Sequence, residues 1–183
     1  MGSISRRTVL GAVLALPFGV LGQAGQGGCG ALTPRDAEGP FYKSGAPRRQ
    51  SLVEPGAKGE RLILTGSVLS IQCKPVANAL LDFWQTDADG EYDNAGFRYR
   101  GVQQTDASGG FRLETVMPAR YPGRPRHIHV KVQAPGRRAL TTQLYFPEEP
   151  GDSRDSSYRP ALVVSIERRD GVLHAGYRFV VDA

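Results

Sequence analysis

The sequence predicts an all-β protein, a β-sandwich of mixed or antiparallel sheets with long connecting loops. From residue 61 onward, short apolar runs with β-branched side chains alternate with Gly and Pro turn signals. No stretch keeps the i, i+3, i+4, i+7 apolar spacing of an amphipathic helix over three turns. A two-sheet sandwich is the most economical way to bury such runs. The runs cover residues 62–64, 79–84, 111–113, 127–132, 140–146, 162–166 and 177–181.

The first 28 residues are expected to be an export signal rather than part of the fold. Arg6 and Arg7 form a twin-arginine pattern, which is followed by an apolar run at 9–21 and small residues at 22–28. The run is shorter than the ~20 residues that a transmembrane helix needs. We therefore expect an exported protein, periplasmic or extracellular, without a transmembrane span. A buried N-terminal helix is the alternative interpretation.

The rest of the chain divides into an arm and a domain. Residues 29–60 are rich in Gly, Pro and charge, which predicts an extended N-terminal arm, and residues 61–183 form the expected β-sandwich domain. The chain has 23 basic and 18 acidic residues, and two of the basic ones lie in the signal, so the remainder carries +3. This weak, scattered charge predicts no nucleic-acid partner and is compatible with small anionic aromatic ligands.

Cys29 and Cys73 are the two cysteines of the chain. In an oxidising compartment, two cysteines in one small domain favour a disulfide. The alternative is a lipid anchor on Cys29, just after the export signal. Gln26 stands where a lipidation signal usually has an aliphatic residue, so we favour the disulfide.

A short internal sequence repeat predicts two similar turns. Residues 86–92 read Thr-Asp-Ala-Asp-Gly-Glu-Tyr, and residues 105–111 read Thr-Asp-Ala-Ser-Gly-Gly-Phe. Asp supplies side-chain hydrogen bonds and Gly supplies positive φ, as tight turns require. Each segment is therefore expected to turn and end on an aromatic residue.

The motif His127-Ile128-His129 is the first candidate for chemistry. On a strand, residues i and i+2 point to the same face, so both imidazoles can converge on one point. This spacing favours a metal site. The alternative is a strand with two half-exposed polar positions.

The other ligands of such a metal are expected to be tyrosines. No other His lies nearby in sequence, and the chain has no thiolate cluster or acidic helix motif. Tyr121 precedes the His pair by six residues, and Tyr92 ends the first of the two turns. Imidazole and phenolate donors together suit iron, and the hard phenolate favours the ferric state. For any single Tyr, ordinary packing is the alternative.

The two turns, Tyr121 and the His pair, taken in order with the segments around them, resemble the intradiol ring-cleavage dioxygenase family. The arginine before the His pair and the Trp-Gln strand before Tyr92 follow the family pattern. The resemblance covers residues 32–150 and is closer to the protocatechuate dioxygenase branch, because the helical N-terminal domain of the catechol branch is absent. It is carried by residues 32–34, 38–42, 84–92, 96–98, 105–111, 118–122, 124–129 and 140–146.

The resemblance implies a set of roles. A ferric ion, Fe(III), would be held by Tyr92, Tyr121, His127 and His129. Tyr121 would leave the metal when substrate arrives and accept a catechol proton. Arg124 would stabilise developing negative charge beside the substrate.

The resemblance also implies a polar role near the site for Gln143. The substrates would be a catechol-type aromatic and O2, and the products cis,cis-muconate-type diacids. Tyr42 and Trp84 are expected either to line the pocket or to pack. The family often forms oligomers, so a homo-oligomer is a further expectation.

The chain departs from the family pattern in one loop. Only Pro122 and Gly123 separate Tyr121 from Arg124, where family members have a longer loop that walls the pocket. A more open pocket that accepts bulkier catechols is therefore expected. Two other interpretations stay open: a non-catalytic, prealbumin-like or carbohydrate-binding sandwich, and a zinc or copper site at the His pair.

Overall fold

A computed structural model describes residue 1 and residues 29–147 and 158–183 of the chain. The predicted signal at 1–28 therefore lies almost wholly outside the described residues. The described part contains eight strands and a short 3-10 turn at Pro160–Leu162. The strands are β1 (Arg61–Ser70), β2 (Leu80–Trp84), β3 (Arg100–Gln104), β4 (Gly110–Val116), β5 (His127–Gln133), β6 (Leu140–Tyr145), β7 (Ser165–Arg169) and β8 (Val172–Val181).

The strands form two four-stranded sheets, which confirms the predicted sandwich. One sheet has the order β4-β1-β8-β7, with β1 and β8 parallel and the other neighbours antiparallel. The second sheet has the order β3-β2-β5-β6 and is antiparallel throughout. We call this second sheet the site sheet, because the candidate ligands of β5 lie on it.

Two elements differ from the sequence prediction. Strand β3 was not among the apolar runs, because Val102 is the one large apolar residue in its five positions. The run at 162–166 is not a single strand. Its start, Leu162, ends the 3-10 turn, and β7 begins at Ser165. Pro160 starts this turn, since its fixed φ suits a helical first position.

Strand alternation divides the site sheet into two faces. On β5, Ile128, Val130 and Val132 point into the core between the sheets, whereas His127 and His129 point to the outer face. The core continues through the inward residues of the other strands. These include Leu62, Leu64, Leu81, Phe83, Phe111, Leu113, Leu144, Leu173 and Phe179.

The two predicted turns have the same hydrogen-bond pattern. Asp87 Oδ1 accepts from the N–H groups of Asp89 and Glu91, and Asp106 Oδ1 accepts from those of Ser108 and Gly110. The second turn carries the chain from β3 in the site sheet to β4 in the other sheet. The first follows β2 and positions Tyr92.

The arm at 29–60 runs across both sheets. Its backbone N–H groups donate to Val180 O from Thr33 (2.9 Å), to Thr141 O from Asp36 (3.0 Å) and to Glu114 O from Leu52 (2.8 Å). Cys29 at the start of the arm forms a disulfide with Cys73, with a Cα–Cα distance of 5.0 Å. The favoured disulfide is thus confirmed, and a bridged Cys29 sulfur is not available for a lipid. Among the described residues, no helix is long and apolar enough to cross a membrane.

Candidate metal centre

The two histidines of β5 form one side of the site. His127 is 3% exposed and His129 is 1% exposed, and their Nε2 atoms lie 3.1 Å apart. Ile128 between them is buried in the core. Strand alternation therefore brings both imidazoles together on the outer face, as the sequence predicts.

Tyr92 lies against this pair. Its hydroxyl oxygen is 3.2 Å from His127 Nε2, and its ring centroid is 6.1 Å from that of His129. The Tyr92 ring stacks on Phe41 of the arm, with centroids 4.5 Å apart. The arm thus covers one ring face of this tyrosine and keeps it 9% exposed.

Tyr121 completes the group from the loop between β4 and β5. Its ring centroid lies 5.8 Å from Tyr92 and 5.7 Å from His127. Unlike Tyr92, Tyr121 is partly exposed. The structure thus brings together all four residues that were predicted as ligands from three separate segments.

The contact between the first turn and the loop that joins β4 to β5 explains why the two tyrosines meet. Thr86 Oγ1 donates to Ala119 O at 2.8 Å, and Ala119 N–H donates to Asp87 O at 3.0 Å. A Cβ on Gly90 would lie 2.6 Å from Arg120 O, and Gly90 has a φ of +90°. Glycine is therefore required here for both its backbone conformation and this close approach.

The protonation pattern of the site fits a bound cation. His127 Nδ1 lies 2.7 Å from Pro125 O, and a carbonyl oxygen can only accept, so Nδ1 donates and the ring directs Nε2 toward the other site residues. Burial, and next the neighbouring His127, hold the pKa of His129 well below its ordinary value. The Nε2 atoms of the two imidazoles lie 3.1 Å apart and face the same space, where both nitrogens can bind one cation.

Burial raises the pKa of Tyr92 well above its ordinary value, so this side chain is a neutral phenol unless a cation stabilises the phenolate. No group of three or more His, Cys, Asp or Glu side chains lies together in the described part of the chain. The phenols of Tyr92 and Tyr121 therefore supply the other two donors beside the His pair. This mixture of imidazole and phenol oxygen fits iron better than it fits a structural zinc site.

The other two predicted site residues lie beside the ligand group. Arg124 Nη1 lies 3.4 Å from the Tyr121 hydroxyl, and Arg124 Nη2 donates to Gln143 Oε1 at 2.9 Å. Gln143 is the cross-strand partner of His129 and donates from Nε2 to Ala37 O at 2.7 Å. The structure brings both residues to the site.

Trp84 and Tyr42, for which pocket lining and packing were both open, make packing contacts. The Trp84 ring stacks on His129 with centroids 4.6 Å apart, and Tyr42 lies 4.9 Å from Trp84. The Tyr42 hydroxyl donates to Asp82 at 3.0 Å, and Lys131 Nζ lies 3.6 Å from its ring centroid. Burial, followed by the Asp82 charge, raises the pKa of Tyr42 to about 12.

Sequence reasoning missed three residues at the site. Tyr145 contacts Arg124 and Asp36, Phe41 stacks on Tyr92, and Asp36 accepts from the Tyr145 hydroxyl at 3.0 Å. Tyr145 could have been found, because it follows Gln143 by two residues on a strand and so shares its face. The arm has no period from which the positions of Asp36 and Phe41 could be read.

The protein is thus a β-sandwich whose outer sheet face gathers two histidines and two tyrosines into one donor set. A family model described as "Dioxygenase" matches residues 37–124, which include both tyrosines and Arg124. The chain belongs to the intradiol ring-cleavage dioxygenase family.

Three similar proteins give the extent of this likeness. Catechol 1,2-dioxygenase of Acinetobacter baylyi is 33% identical over 75% of this chain and 55% of its own length. The 3-chlorocatechol 1,2-dioxygenase structure from Rhodococcus opacus 1CP is 30% identical, with a TM-score of 0.76 over 80% of this chain and 71% of that one. The dioxygenase domain of a dioxygenase–carbohydrate-binding protein fusion from Streptomyces sp. SirexAA-E is 47% identical, with a TM-score of 0.82 over 84% and 99%. The chain spans about half the length of the curated relatives that it matches.

Proposed function

We propose that this chain is a non-haem iron(III) intradiol dioxygenase that cleaves catechol-type rings with O2 to cis,cis-muconate-type diacids. The observation that carries the proposal is the clustering of four donor side chains. Tyr92 Oη and the Nε2 atoms of His127 and His129 lie within 3.2 Å of a neighbour in the group, and the Tyr121 ring lies 5.8 Å from that of Tyr92 and 5.7 Å from that of His127. The names of the similar proteins, which are dioxygenases of catechols, support the same reaction class.

A ferric ion bound by these four side chains would supply a Lewis acid that both oxygens of a catecholate can chelate and that activates the catechol ring toward O2. Tyr92 is buried under Phe41 and held by the turn after β2, which suits a ligand that stays in place. Tyr121 is partly exposed on a loop, which suits a phenolate that moves aside and accepts a proton from a catechol hydroxyl. The two tyrosines therefore have different proposed roles because their surroundings differ.

Arg124 is proposed to stabilise negative charge that develops on the substrate. Its guanidinium is permanently charged and planar, and it lies beside the Tyr121 hydroxyl, the ligand that would make room for substrate. Gln143 supports it by accepting from Nη2. A cation that is already oriented stabilises new charge without the cost of reorganising solvent.

The substrate pocket is proposed to be open enough for catechols bulkier than protocatechuate. Gly123 has a φ of +80°, and a Cβ built on it would meet no atom within 4 Å. The short loop of Pro122 and Gly123, which joins Tyr121 to Arg124, therefore has open space next to Gly123. The protocatechuate-like branch stays a prediction, since two of the three proteins named above are catechol 1,2-dioxygenases and the name of the third gives no substrate.

Oxygen uptake against a panel of catechols, with product mass, tests the reaction directly. We expect one O2 consumed per ring and a product heavier than the substrate by both oxygen atoms. The iron-loaded protein should be red-brown, with a visible tyrosinate-to-iron(III) band that changes when catechol is added. A colourless, iron-free protein from an iron-replete preparation would favour the non-catalytic, prealbumin-like or carbohydrate-binding sandwich, and stoichiometric zinc or copper would favour a zinc or copper site at the His pair.

We further propose that residues 1–28 direct export, so that the enzyme works in the periplasm or outside the cell. The twin arginines support this, and a Cys29–Cys73 disulfide is typical of an oxidising compartment. Replacing Arg6 and Arg7 by Lys should retain the protein inside the cell, which fractionation would detect. A homo-oligomer stays a prediction, to be checked by light scattering.

A further inference from the structure

The outer face of the site sheet carries a second row of polar residues beside the histidines. In the register of β5 and β6, Gln143 lies opposite His129, and Tyr145 lies opposite His127. Both side chains are fully buried. Because cross-strand partners point to the same face, this row lies directly behind the ligand pair.

A chain of hydrogen bonds leads from Arg124 through this row to the arm. Arg124 Nη2 lies 2.9 Å from Gln143 Oε1 and 3.4 Å from the Tyr145 hydroxyl. The Tyr145 hydroxyl lies 3.0 Å from Asp36 Oδ2 and 3.1 Å from Gln143 Oε1. A hydroxyl has one proton, and a carboxylate is a stronger acceptor than an amide oxygen, so the proton goes to Asp36. The Tyr145 oxygen is then left to accept from Arg124.

Asp36 is the anionic end of this chain. Its side chain is 4% exposed, and Arg159 Nε approaches it to 3.8 Å from a half-exposed position. Its backbone N–H donates to Thr141 O, which fixes this part of the arm on β6. A buried carboxylate is costly unless it is paired and hydrogen-bonded, so its placement here calls for a cationic counterpart nearby. Arg159 approaches it directly, and Arg124 is linked to it through the Tyr145 hydroxyl.

We propose that Asp36 and Tyr145 are positioning residues that hold the Arg124 guanidinium beside the Tyr121 phenol oxygen. This inference rests on the proposed function, because it assigns the orientation of Arg124 a role in that reaction. Asp36 belongs to the arm, so the arm takes part in the chemistry as well as covering the site. The expected effect falls on kcat, since the oriented cation acts on charge that develops after substrate has bound.

Two variants interrupt the series of hydrogen bonds between Arg124 and Asp36 at different points, and a third is a matched control. Tyr145→Phe removes the hydroxyl and keeps the ring, while Asp36→Asn keeps the shape and removes the charge. Thr142→Val removes another buried contact between β6 and the arm, the 2.8 Å hydrogen bond from Thr142 Oγ1 to Pro34 O. Thr142 points away from the site, so this control weakens the attachment of the arm without touching Arg124.

Steady-state kinetics of the iron-loaded variants give the first measurement. We expect kcat to fall roughly 10- to 100-fold in Tyr145→Phe, and less in Asp36→Asn, with iron content and KM near the wild-type values. Thr142→Val should keep its kcat even if its Tm falls. Equal loss of kcat in all three variants would reduce the effect to arm attachment and overturn the proposal.

Side-chain NMR of the metal-free protein gives a measurement that does not depend on activity. The Arg124 guanidinium signal, assigned with Arg124→Lys, should show restricted rotation in the wild type and in Thr142→Val. It should show faster rotation in Tyr145→Phe and Asp36→Asn. Equal rotation in all four proteins would contradict the positioning role. An enzyme without catechol turnover but with this NMR pattern would contradict the proposed function and leave the positioning role standing.

Discussion

The two faces of the site sheet use the same strands for opposite purposes. On β5, Ile128 and Val130 fill the core between the sheets, while His127 and His129 converge on the outer face. On β6, Leu144 lies in the core, whereas its neighbours Gln143 and Tyr145 lie in the polar row. The inner face is almost wholly apolar, and the outer face buries polar groups under the arm and two loops.

This difference shows how a sandwich can hold a buried polar site without weakening its core. The apolar face gains stability from burial, so the rigid strands position the polar residues at no cost to packing. The arm buries the outer face. Phe41 stacks on Tyr92, and Gly39 lies so close to His129 that a Cβ on Gly39 would be 3.5 Å from the imidazole. A change on one face should therefore affect stability, and a change on the other should affect chemistry.

The largest expected effect comes from removing a ligand on the outer face. His129→Ala should abolish iron binding and the visible band, and lower kcat on the order of 1000-fold or more, because three donors are left for the metal. Metal analysis and absorption spectra of the purified variant check this. Val130→Ala, its neighbour on the inner face, should keep its iron. Full iron content in His129→Ala would remove this residue from the ligand set.

A smaller loss is expected at Arg124. Arg124→Lys keeps the charge but removes the planar fork that bonds Gln143, so kcat should fall ~100-fold while iron stays bound. Stopped-flow and steady-state kinetics on one catechol would separate this from a binding defect. A change confined to KM would point to a role in substrate affinity alone.

On the inner face, Leu144→Ala should weaken the fold and leave the chemistry intact. Leu144 is completely buried in the core, so the cavity should lower the free energy of unfolding by about 2–5 kcal/mol. Denaturant unfolding measures this loss, and kcat per bound iron should match the wild type. A large fall in kcat per iron would show that the two faces are coupled.

The smallest effect is expected at the pocket rim. Gly123→Asn suits the positive φ, because Asn tolerates this conformation better than other residues with a Cβ. The added side chain should lower kcat/KM about fivefold for bulky catechols and leave unsubstituted catechol unchanged. The ratio of the two rates, measured by oxygen uptake, is the readout. If this ratio were the same in Gly123→Asn and in the wild type, the loop would not limit the size of the substrate.

Much of this arrangement could be predicted from local sequence. The period-2 pattern around Ile128 sets the two faces of β5, and the Asp-x-x-Gly turns place the aromatic residues that end them. The four donors follow from residue chemistry together with the family resemblance. Strand β3 could not be predicted, since it has one large apolar residue and is held by its neighbours.

The contribution of the arm could not be predicted either. Asp36 and Phe41 reach the site through long-range contacts with Tyr145 and Tyr92, which are 109 residues away in the first case. No local pattern encodes such a contact, because an extended segment has no repeat that assigns its side chains to a face. Only the folded chain shows that the arm supplies a buried carboxylate.

Anomalous diffraction at the iron absorption edge, from crystals of the iron-loaded protein, would locate the metal relative to the four proposed ligands. We expect one peak per chain, bonded to the phenol oxygens of Tyr92 and Tyr121 and to Nε2 of His127 and His129. A peak elsewhere, or bonded to the histidines while both phenol oxygens stay out of bonding distance, would contradict this ligand set.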